Sequence, residues 1–368
     1  MRTKVTLIFA MILVASILAV VPIAAYASSE RWVKYSGNPV LGPTPGGWDS
    51  EYTISPRVLY DGSSFRMWYV GGSEGIVGIG YATSSNGVAW TKYPNPVLMP
   101  GQKGSWDDAQ VGLGSVVWNG TMFLMWYMGG GFVNFQDGAF GLATSPDGIT
   151  WTKYSGNPIL LPSDVGQRLL ATPDVELSVL NHYMMWYTDR STSDPQSSST
   201  LSISDASSWD GKAWTTFPSP AIIPSTEADA WDSLSVYSPS VFYDGSTYWL
   251  WYSALSQNSV GPQIGFATSQ DGMLYTKSPS NPILSPGQAG SWDSAGAEQP
   301  TFLLGPSGYL LYYDGFSKSA GGRIGLVTGT PTVAVAEFPT VPSDLLLGLV
   351  SCGALCLVRY RKPPSNIR

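Results

Sequence analysis

The sequence predicts an all-β protein, a propeller of five blades with four antiparallel strands in each blade. Three observations predict this fold. One sequence unit occurs five times, and each complete unit holds four short segments rich in aromatic and β-branched residues. The fifth unit lacks its last segment, and a matching segment precedes the first unit. Such repeats are typical of radial sheets around a channel. An open array of hairpins is the alternative, but it leaves the displaced segment unexplained.

The repeated unit is clearest in residues 48–93. A turn that begins at Trp48 is followed eight residues later by Pro56, which opens an apolar run, and then by Met67-Trp68-Tyr69. A third segment ends at Thr83, and Trp90 heads the fourth. Asp-Gly and Asn-Gly pairs between the segments allow the positive φ that tight hairpins need. One unit therefore predicts a four-stranded meander.

The other units align with the first at their turns and second strands. The turn tryptophan recurs as Trp106, Trp231 and Trp292, but the third unit has Val165 in its place. The second strand recurs as Met125-Trp126-Tyr127, Met185-Trp186-Tyr187, Leu250-Trp251-Tyr252 and Leu311-Tyr312-Tyr313. We expect residues 31–35 to supply the strand that the fifth unit lacks, pairing near residues 324–327 and closing the ring.

The segments that flank the ring predict a secreted and membrane-attached protein. Residues 1–27 have basic residues, an apolar run and the small-residue pattern Ala25-Tyr26-Ala27, which together indicate a signal peptide. The propeller is expected at residues 28–329 and a linker at 330–342. Residues 343–362 form an apolar segment that ends in basic residues, followed by a basic tail at 363–368. This order indicates a transmembrane or sorting segment with the ring outside the cell.

Composition limits the classes of partner. The chain has 368 residues, a net charge of -7 and only 12% charged residues, without a basic stripe. We therefore expect no nucleic-acid partner. The two cysteines, Cys352 and Cys356, lie in the C-terminal apolar segment, so the ring has no disulfide or thiolate metal site. We expect a monomer without a metal or another cofactor.

Internal repetition separates scaffold residues from candidate functional residues. Residues present in nearly every unit, such as Asp49 after the turn tryptophan, are expected to support the blade. Polar residues that occur in one unit only need another reason, and many of them lie where the inner strands begin, at the mouth of the predicted channel. They are Glu51, Arg57, Asp108, Gln110, Arg168, Asp174, Glu176, Glu298 and Gln299.

With these residues identified, the chain resembles the five-bladed propeller glycosidases of families 43 and 32, the arabinanase, levansucrase and invertase type. The resemblance covers residues 31–328 and rests on the fivefold repeat and the Pro-containing inner strands. Glu298-Gln299-Pro300 is similar to the Glu-x-Pro element that carries the general acid of the family. The family's Asp-Pro element is absent, because the prolines follow Ser55, Thr172, Ser238 and Gln299, and Leu113 precedes Gly114.

A second resemblance concerns the C-terminus. Glu337-Phe338-Pro339, the apolar run and the basic end are similar to the tripartite sorting signals of archaeal surface proteins. The resemblance implies either removal of the segment by a sortase-like membrane protease or, as the alternative, a plain single-span anchor. Both place the ring outside the cell.

The resemblance implies hydrolysis of glycosidic bonds by a pair of carboxyl groups. One carboxyl must be protonated and the other ionised. We expect Glu298 to be the acid and Asp174 or Glu51 to be its partner. Arg57, Asp108, Gln110, Arg168 and Gln299 are the expected substrate-binding residues. The alternative is a catalytically inactive carbohydrate-binding or surface-interaction propeller, which the missing Asp-Pro element favours.

Overall fold

The computed structural model describes residues 32–73, 75–130, 138–178, 182–191 and 200–329. The predicted signal peptide, linker, apolar C-terminal segment and basic tail lie outside the described residues. In the described ranges, no helix is both long enough and apolar enough to cross a membrane.

The described chain forms five sheets of four antiparallel strands each, as the repeats predict. Blade 1 comprises β2 (Tyr52–Tyr60), β3 (Phe65–Ser73), β4 (Ile76–Ser84) and β5 (Thr91–Lys92). Blade 2 comprises β6 (Val111–Trp118), β7 (Phe123–Gly129), β8 (Ala139–Ser145) and β9 (Thr152–Lys153). Blade 3 comprises β10 (Gln167–Leu177), β11 (Tyr183–Ser191), β12 (Ser202–Ser208) and β13 (Thr215–Thr216). A short 3-10 turn, Pro162–Val165, precedes β10.

Blade 4 and blade 5 complete the ring. Blade 4 comprises β14 (Ser235–Tyr243), β15 (Tyr248–Leu255), β16 (Gln263–Ser269) and β17 (Thr276–Lys277). Blade 5 comprises β18 (Gly296–Gly305), β19 (Gly308–Ser317), β20 (Ala320–Gly329) and β1 (Trp32–Lys34). Strand β1 pairs antiparallel with β20, with Trp32 opposite Gly329 and Lys34 opposite Val327. The predicted closure of the ring by the N-terminal strand is therefore confirmed.

The aromatic second strands pack between blades. Trp68, Trp126, Trp186 and Trp251 are fully buried, so they belong to the core and are not exposed sugar platforms. Three of these indoles donate to a hairpin carbonyl of the next blade, at Gly148, Gly211 and Gly272. The indole nitrogen of Trp251 has no such partner, because blade 5 ends in β1 and not in a hairpin. Its ring instead stacks on Phe302, with the centroids 4.0 Å apart.

As predicted, the aspartates after the turn tryptophans support the blades. Their hydrogen bonds reach beyond their own turns to other strands of the blade. Asp49 accepts hydrogen bonds from Tyr69 in the second strand and from Lys92 in the fourth, at 3.0 and 2.5 Å. The equivalent ion pairs are Lys153–Asp107, Lys277–Asp232 and Lys34–Asp293, at 2.5, 2.6 and 2.5 Å. Each of these aspartates therefore ties the turn to two strands of its own blade.

Candidate functional site at the channel mouth

The five first strands, β2, β6, β10, β14 and β18, line the channel, and each contacts its two neighbours in the ring. Four of them carry a left-handed residue directly before their proline: Ser55, Thr172, Ser238 and Gln299, with φ of 53, 46, 50 and 52°. The pairing register shifts by a bulge at the same places. Bulges re-aim side chains and are common beside active sites. The sequence did not reveal this backbone conformation.

Side chains of the preceding blade hold three of these bulges. The Ser238 N–H donates to Thr188 Oγ1, and the Gln299 N–H donates to Ser253 Oγ, both at 2.8 Å. The Ser55 N–H donates to both carboxylate oxygens of Asp314, at 2.8 Å each. The backbone N–H of the residue before the proline is thus held by a side chain of the preceding blade in blades 1, 4 and 5.

Glu298 lies one residue before the bulge of β18, and its side chain is partly exposed. The hydroxyl of Tyr237, which occupies the equivalent place in blade 4, donates to Glu298 Oε2 at 2.7 Å. Burial raises the pKa of Glu298 above its usual value, and the Tyr237 hydrogen bond opposes that rise by stabilising the anion. Glu298 therefore has the setting of a carboxyl group whose protonated form is favoured more than that of an exposed glutamate.

Asp314 was missed by the sequence analysis. It lies directly opposite Glu298 in the β18–β19 register and is 1% exposed. Burial raises its pKa well above the usual value, and the charge of Glu298 raises it further. Comparison of the repeats would have found it, because the other units carry Val70, Met128, Thr188 and Ser253 at this place.

Asp174 lies deeper in the channel, on the far side of the bulge. The Val241 N–H donates to its Oδ2 at 2.6 Å, and Arg57 Nε lies 3.7 Å from its Oδ1. Burial raises the pKa of Asp174, while the charge of Arg57 opposes that shift. Asp174 lies after the bulge of its strand, whereas Glu298 lies before the bulge of β18. The two carboxyl groups therefore lie at different depths.

Arg57 connects three inner strands across the channel. Its guanidinium donates to the Gly114 carbonyl in blade 2 and to Thr301 Oγ1 in blade 5, the latter at 2.7 Å. It is 8% exposed, and its donors are largely engaged by the protein. Arg57 thus organises the channel between Asp174 and the mouth.

The other predicted residues are spread around the mouth. Glu51 is exposed just before β2, and Asp108 is exposed and accepts the Gly104 N–H within its own turn at 2.7 Å. Gln110 is buried and donates to the Gly130 carbonyl at 3.3 Å. Gln299 Oε1 accepts the Ser55 hydroxyl at 2.5 Å. Arg168 lies on β10, and its side chain is outside the described residues.

Comparison with known proteins gives relatives of the fold. No protein-family model matches the chain. Two uncharacterized proteins of Mycobacterium tuberculosis strains, CDC 1551 / Oshkosh and ATCC 25618 / H37Rv, are each 26% identical over 233 residues, which is 62% of this chain and 75% of theirs. Because the identity is modest, these relatives show sequence similarity without assigning an activity.

Three similar solved structures are glycoside hydrolases or belong to a family that contains them. A thermostable family-43 glycoside hydrolase has a TM-score of 0.60 and 18% identity, with 75% of this chain and 89% of that chain covered. A glycoside hydrolase has a TM-score of 0.64 and 18% identity, with 91% and 95% covered. The third structure comes from work on the GH130 family of mannoside phosphorylases, which contains glycoside hydrolases that target beta-1,2 mannosidic linkages in Candida mannan. It has a TM-score of 0.63 and 16% identity, with 83% of this chain and 95% of that chain covered. This chain therefore has the five-bladed propeller fold that such enzymes use.

Proposed function

We propose that the protein acts on extracellular glycans as a glycoside hydrolase, with Glu298 as the general acid. The observation that carries the proposal is the partly exposed Glu298 in Glu298-Gln299-Pro300, with a raised pKa and a hydrogen bond from Tyr237. A neutral carboxyl group can donate its proton to the leaving oxygen of a glycoside. The Tyr237 hydroxyl then stabilises the resulting carboxylate.

The second carboxyl group of the proposed pair is Asp174 or Glu51. The charge of Arg57 favours the ionised form of Asp174 against the effect of burial, and Glu51 is exposed at the rim. Either residue activates water or attacks the sugar only when the glycosidic bond of the bound substrate lies between it and Glu298. Arg57, Asp108, Gln110, Arg168 and Gln299 are proposed to orient the sugar.

The test is hydrolysis of a broad panel of glycans and aryl glycosides. Glu298→Gln should lower kcat/KM by about a hundredfold or more on substrates with poor leaving groups, because one general acid contributes about that much. Its melting temperature should stay near that of the unchanged protein. Glu227→Gln, which alters an exposed glutamate in a surface turn, is the matched control and should keep full activity.

A carbohydrate-binding or surface-interaction propeller without catalysis is the second candidate. One observation favours it: the oxygens of Asp314 and Asp174 accept backbone N–H groups, so these carboxyl groups already support the fold. Glycan binding on an array, with no turnover of any bound glycan, would support this candidate and overturn the first.

We also propose that the ring is secreted and stays at the cell surface as a monomer. The support is in the sequence alone, in the signal pattern of residues 1–27 and the apolar segment at 343–362 with its basic end. A sorting signal cleaved at Glu337-Phe338-Pro339 is one version, and a retained anchor is the other. Protease added to intact cells should degrade the ring, whereas recovery of intact protein from the cytosol would contradict the proposal.

A further inference from the structure

A cavity of about 750 Å³ opens at the end of the channel opposite to Glu298. Its walls are the parts of the inner strands that follow the prolines, together with hairpins of blades 1 and 2. Arg57 and Asp174 line its inner end, and Trp118 and Phe123 line its outer part. Since Glu298 and Gln299 do not line it, this cavity is separate from the channel mouth.

The walls of this cavity combine apolar side chains with polar and charged ones. The aliphatic and aromatic side chains that line it include Val58, Leu59, Val116, Val117, Val175, Leu177, Val241 and Phe302. Cavities of this volume, with apolar walls and a few placed polar groups, are the usual binding sites of small molecules.

Most charged groups in the cavity already have partners. Arg57 faces Asp174, with Nε 3.7 Å from Oδ1, and Arg66 faces Asp61, with Nε 3.1 Å from Oδ2. Glu176 is different, because it forms no hydrogen bond or ion pair with any other described residue. It lies two residues after Asp174 on β10 and is partly exposed to the cavity. Its carboxyl group is thus available to a ligand.

The two cationic side chains of the cavity, Arg57 and Arg66, pair with Asp174 and Asp61 and not with Glu176. Burial and the nearby Asp174 carboxylate raise its pKa to about 8, and the phenols of Tyr248 and Tyr275 in blade 4 lie within electrostatic range. Asp61 and Asp147 add negative charge to the outer wall. A cation that entered the cavity would therefore find an unpaired carboxyl group in apolar surroundings, where such a pair is strong.

We propose that this cavity binds a small organic cation, an apolar molecule that carries one ammonium group, with the ammonium on Glu176. The apolar body lies against the valine and leucine side chains. Trp118, which is 46% exposed, covers the outer end of the ligand together with Phe123. The ammonium site on Glu176 does not involve Glu298, although Arg57 and Asp174 line the inner end of the same cavity.

The experiment measures binding of n-hexylamine and of n-hexanol, a neutral molecule of similar shape, by calorimetry on the purified protein. Hexylamine should bind at least about tenfold more tightly at pH 9 than at pH 6, because Glu176 is neutral at the lower pH and ionised at the higher. At pH 7, binding should release about one proton per amine, which buffers of different ionisation enthalpy reveal. Hexanol should show neither effect.

Two variants separate this site from the mouth. Glu176→Gln should lose the pH dependence and the preference for the amine, and it keeps the shape of the side chain. Glu298→Gln should bind hexylamine as the unchanged protein does. Equal binding of the amine and the alcohol at pH 9, absence of proton release, or unchanged amine binding in Glu176→Gln would overturn the proposal.

Discussion

Blade 3 differs from the other four blades in a set of linked positions. The other blades join a turn tryptophan and aspartate to a tyrosine of the second strand and a lysine of the fourth. Blade 3 keeps the tyrosine, Tyr187, but has Val165, Gly166 and Thr216 at the other three places. It also has Asp189, where the other blades carry glycine or alanine, and Ser204, where they carry glycine.

Packing explains why these substitutions occur together. A Cβ atom at Gly129 of blade 2 would lie 2.5 Å from Asp107 Cβ, and one at Gly141 would lie 2.6 Å from Trp106 Cζ2. In blade 2 the turn residues thus leave no room for a side chain at either position. Blade 3 lacks these turn side chains, and Ser204 Oγ donates to Asp189 Oδ2 at 2.7 Å in the corresponding region. The five substitutions are therefore linked by packing, so a residue at one of these positions depends on the residues at the others.

The difference also has an electrostatic cost. Burial raises the pKa of Asp189 to about 6, and burial together with repulsion from Asp271 raises that of Asp205 to about 7. Asp205 is fully buried, and neither carboxyl oxygen has a hydrogen-bond partner among the described residues. Blade 3 carries buried acids without lysine partners, so we expect it to be the least stable blade at neutral pH.

The largest loss of stability should come from removing β1, the strand that supplies Lys34 to blade 5. A chain that begins at residue 37 lacks Trp32, which packs against Trp251, and Lys34, which pairs with Asp293. It should lose the cooperative unfolding transition, because β20 becomes an open edge. A chain that begins at residue 28 is the control and should melt like the full ring. Equal melting of the two truncations would show that β1 is not needed for closure.

A smaller effect is expected from Asp49→Asn in blade 1. The change removes the charge that Lys92 and Tyr69 share, and it should lower the free energy of unfolding by about 3 kcal/mol. Urea denaturation measures the loss. Asp164→Asn in blade 3 alters an exposed turn carboxylate outside such a network and should cost less than about 0.5 kcal/mol. Similar losses for both variants would remove the distinction between the blades.

The next prediction exchanges one residue between the two kinds of blade. Gly141→Ser should destabilise blade 2 by about 2 kcal/mol, because the new side chain meets the Trp106 and Tyr127 rings. Ser204→Gly makes the reverse change in blade 3 and should cost about 1 kcal/mol through one hydrogen bond and backbone entropy. Thermal unfolding of both variants gives the comparison, and a larger loss in blade 3 would contradict the packing argument.

The last stability prediction is a gain in blade 3. Asp205→Leu places there the residue that blade 2 has as Leu142, and it should add about 1–2 kcal/mol at pH 8. Because the folded pKa of Asp205 is raised, the folded state retains its proton between about pH 4 and 7, and the stability contribution of this group falls as pH rises through that window. The gain should therefore be smaller at pH 4, and an equal gain at both pH values would assign it to packing.

The fold could be predicted from the sequence because the same pattern of strands and turns recurs in five repeats. Trp48 and its equivalents aligned the units, and the missing fourth segment pointed to residues 31–35. The lysine partners of the turn aspartates escaped prediction, although Lys92 and Lys153 occupy the same place in their units. That contact joins the turn to the fourth strand, and sequence spacing does not show which side chains meet across a blade.

The roles of the candidate site residues stay predictions. Glu298 was selected from its short motif and its absence from the other units, and the structure adds its hydrogen bond from Tyr237 and the opposing Asp314. Asp108 was selected by position alone, but it closes a surface turn. Depth along the channel depends on the bulges before the prolines, so the sequence could not place Asp174 relative to Glu298.

The most direct test of the central claim is the dependence of hydrolysis on the leaving group. On a series of aryl glycosides, the unchanged protein should show rates that vary little with leaving-group acidity, because Glu298 donates a proton to the departing oxygen. Glu298→Gln should show rates that fall steeply as the leaving group becomes more basic, with the difference reaching about a hundredfold or more. Parallel dependence in both proteins, or no turnover by the unchanged protein, would contradict the assignment of Glu298 as the acid.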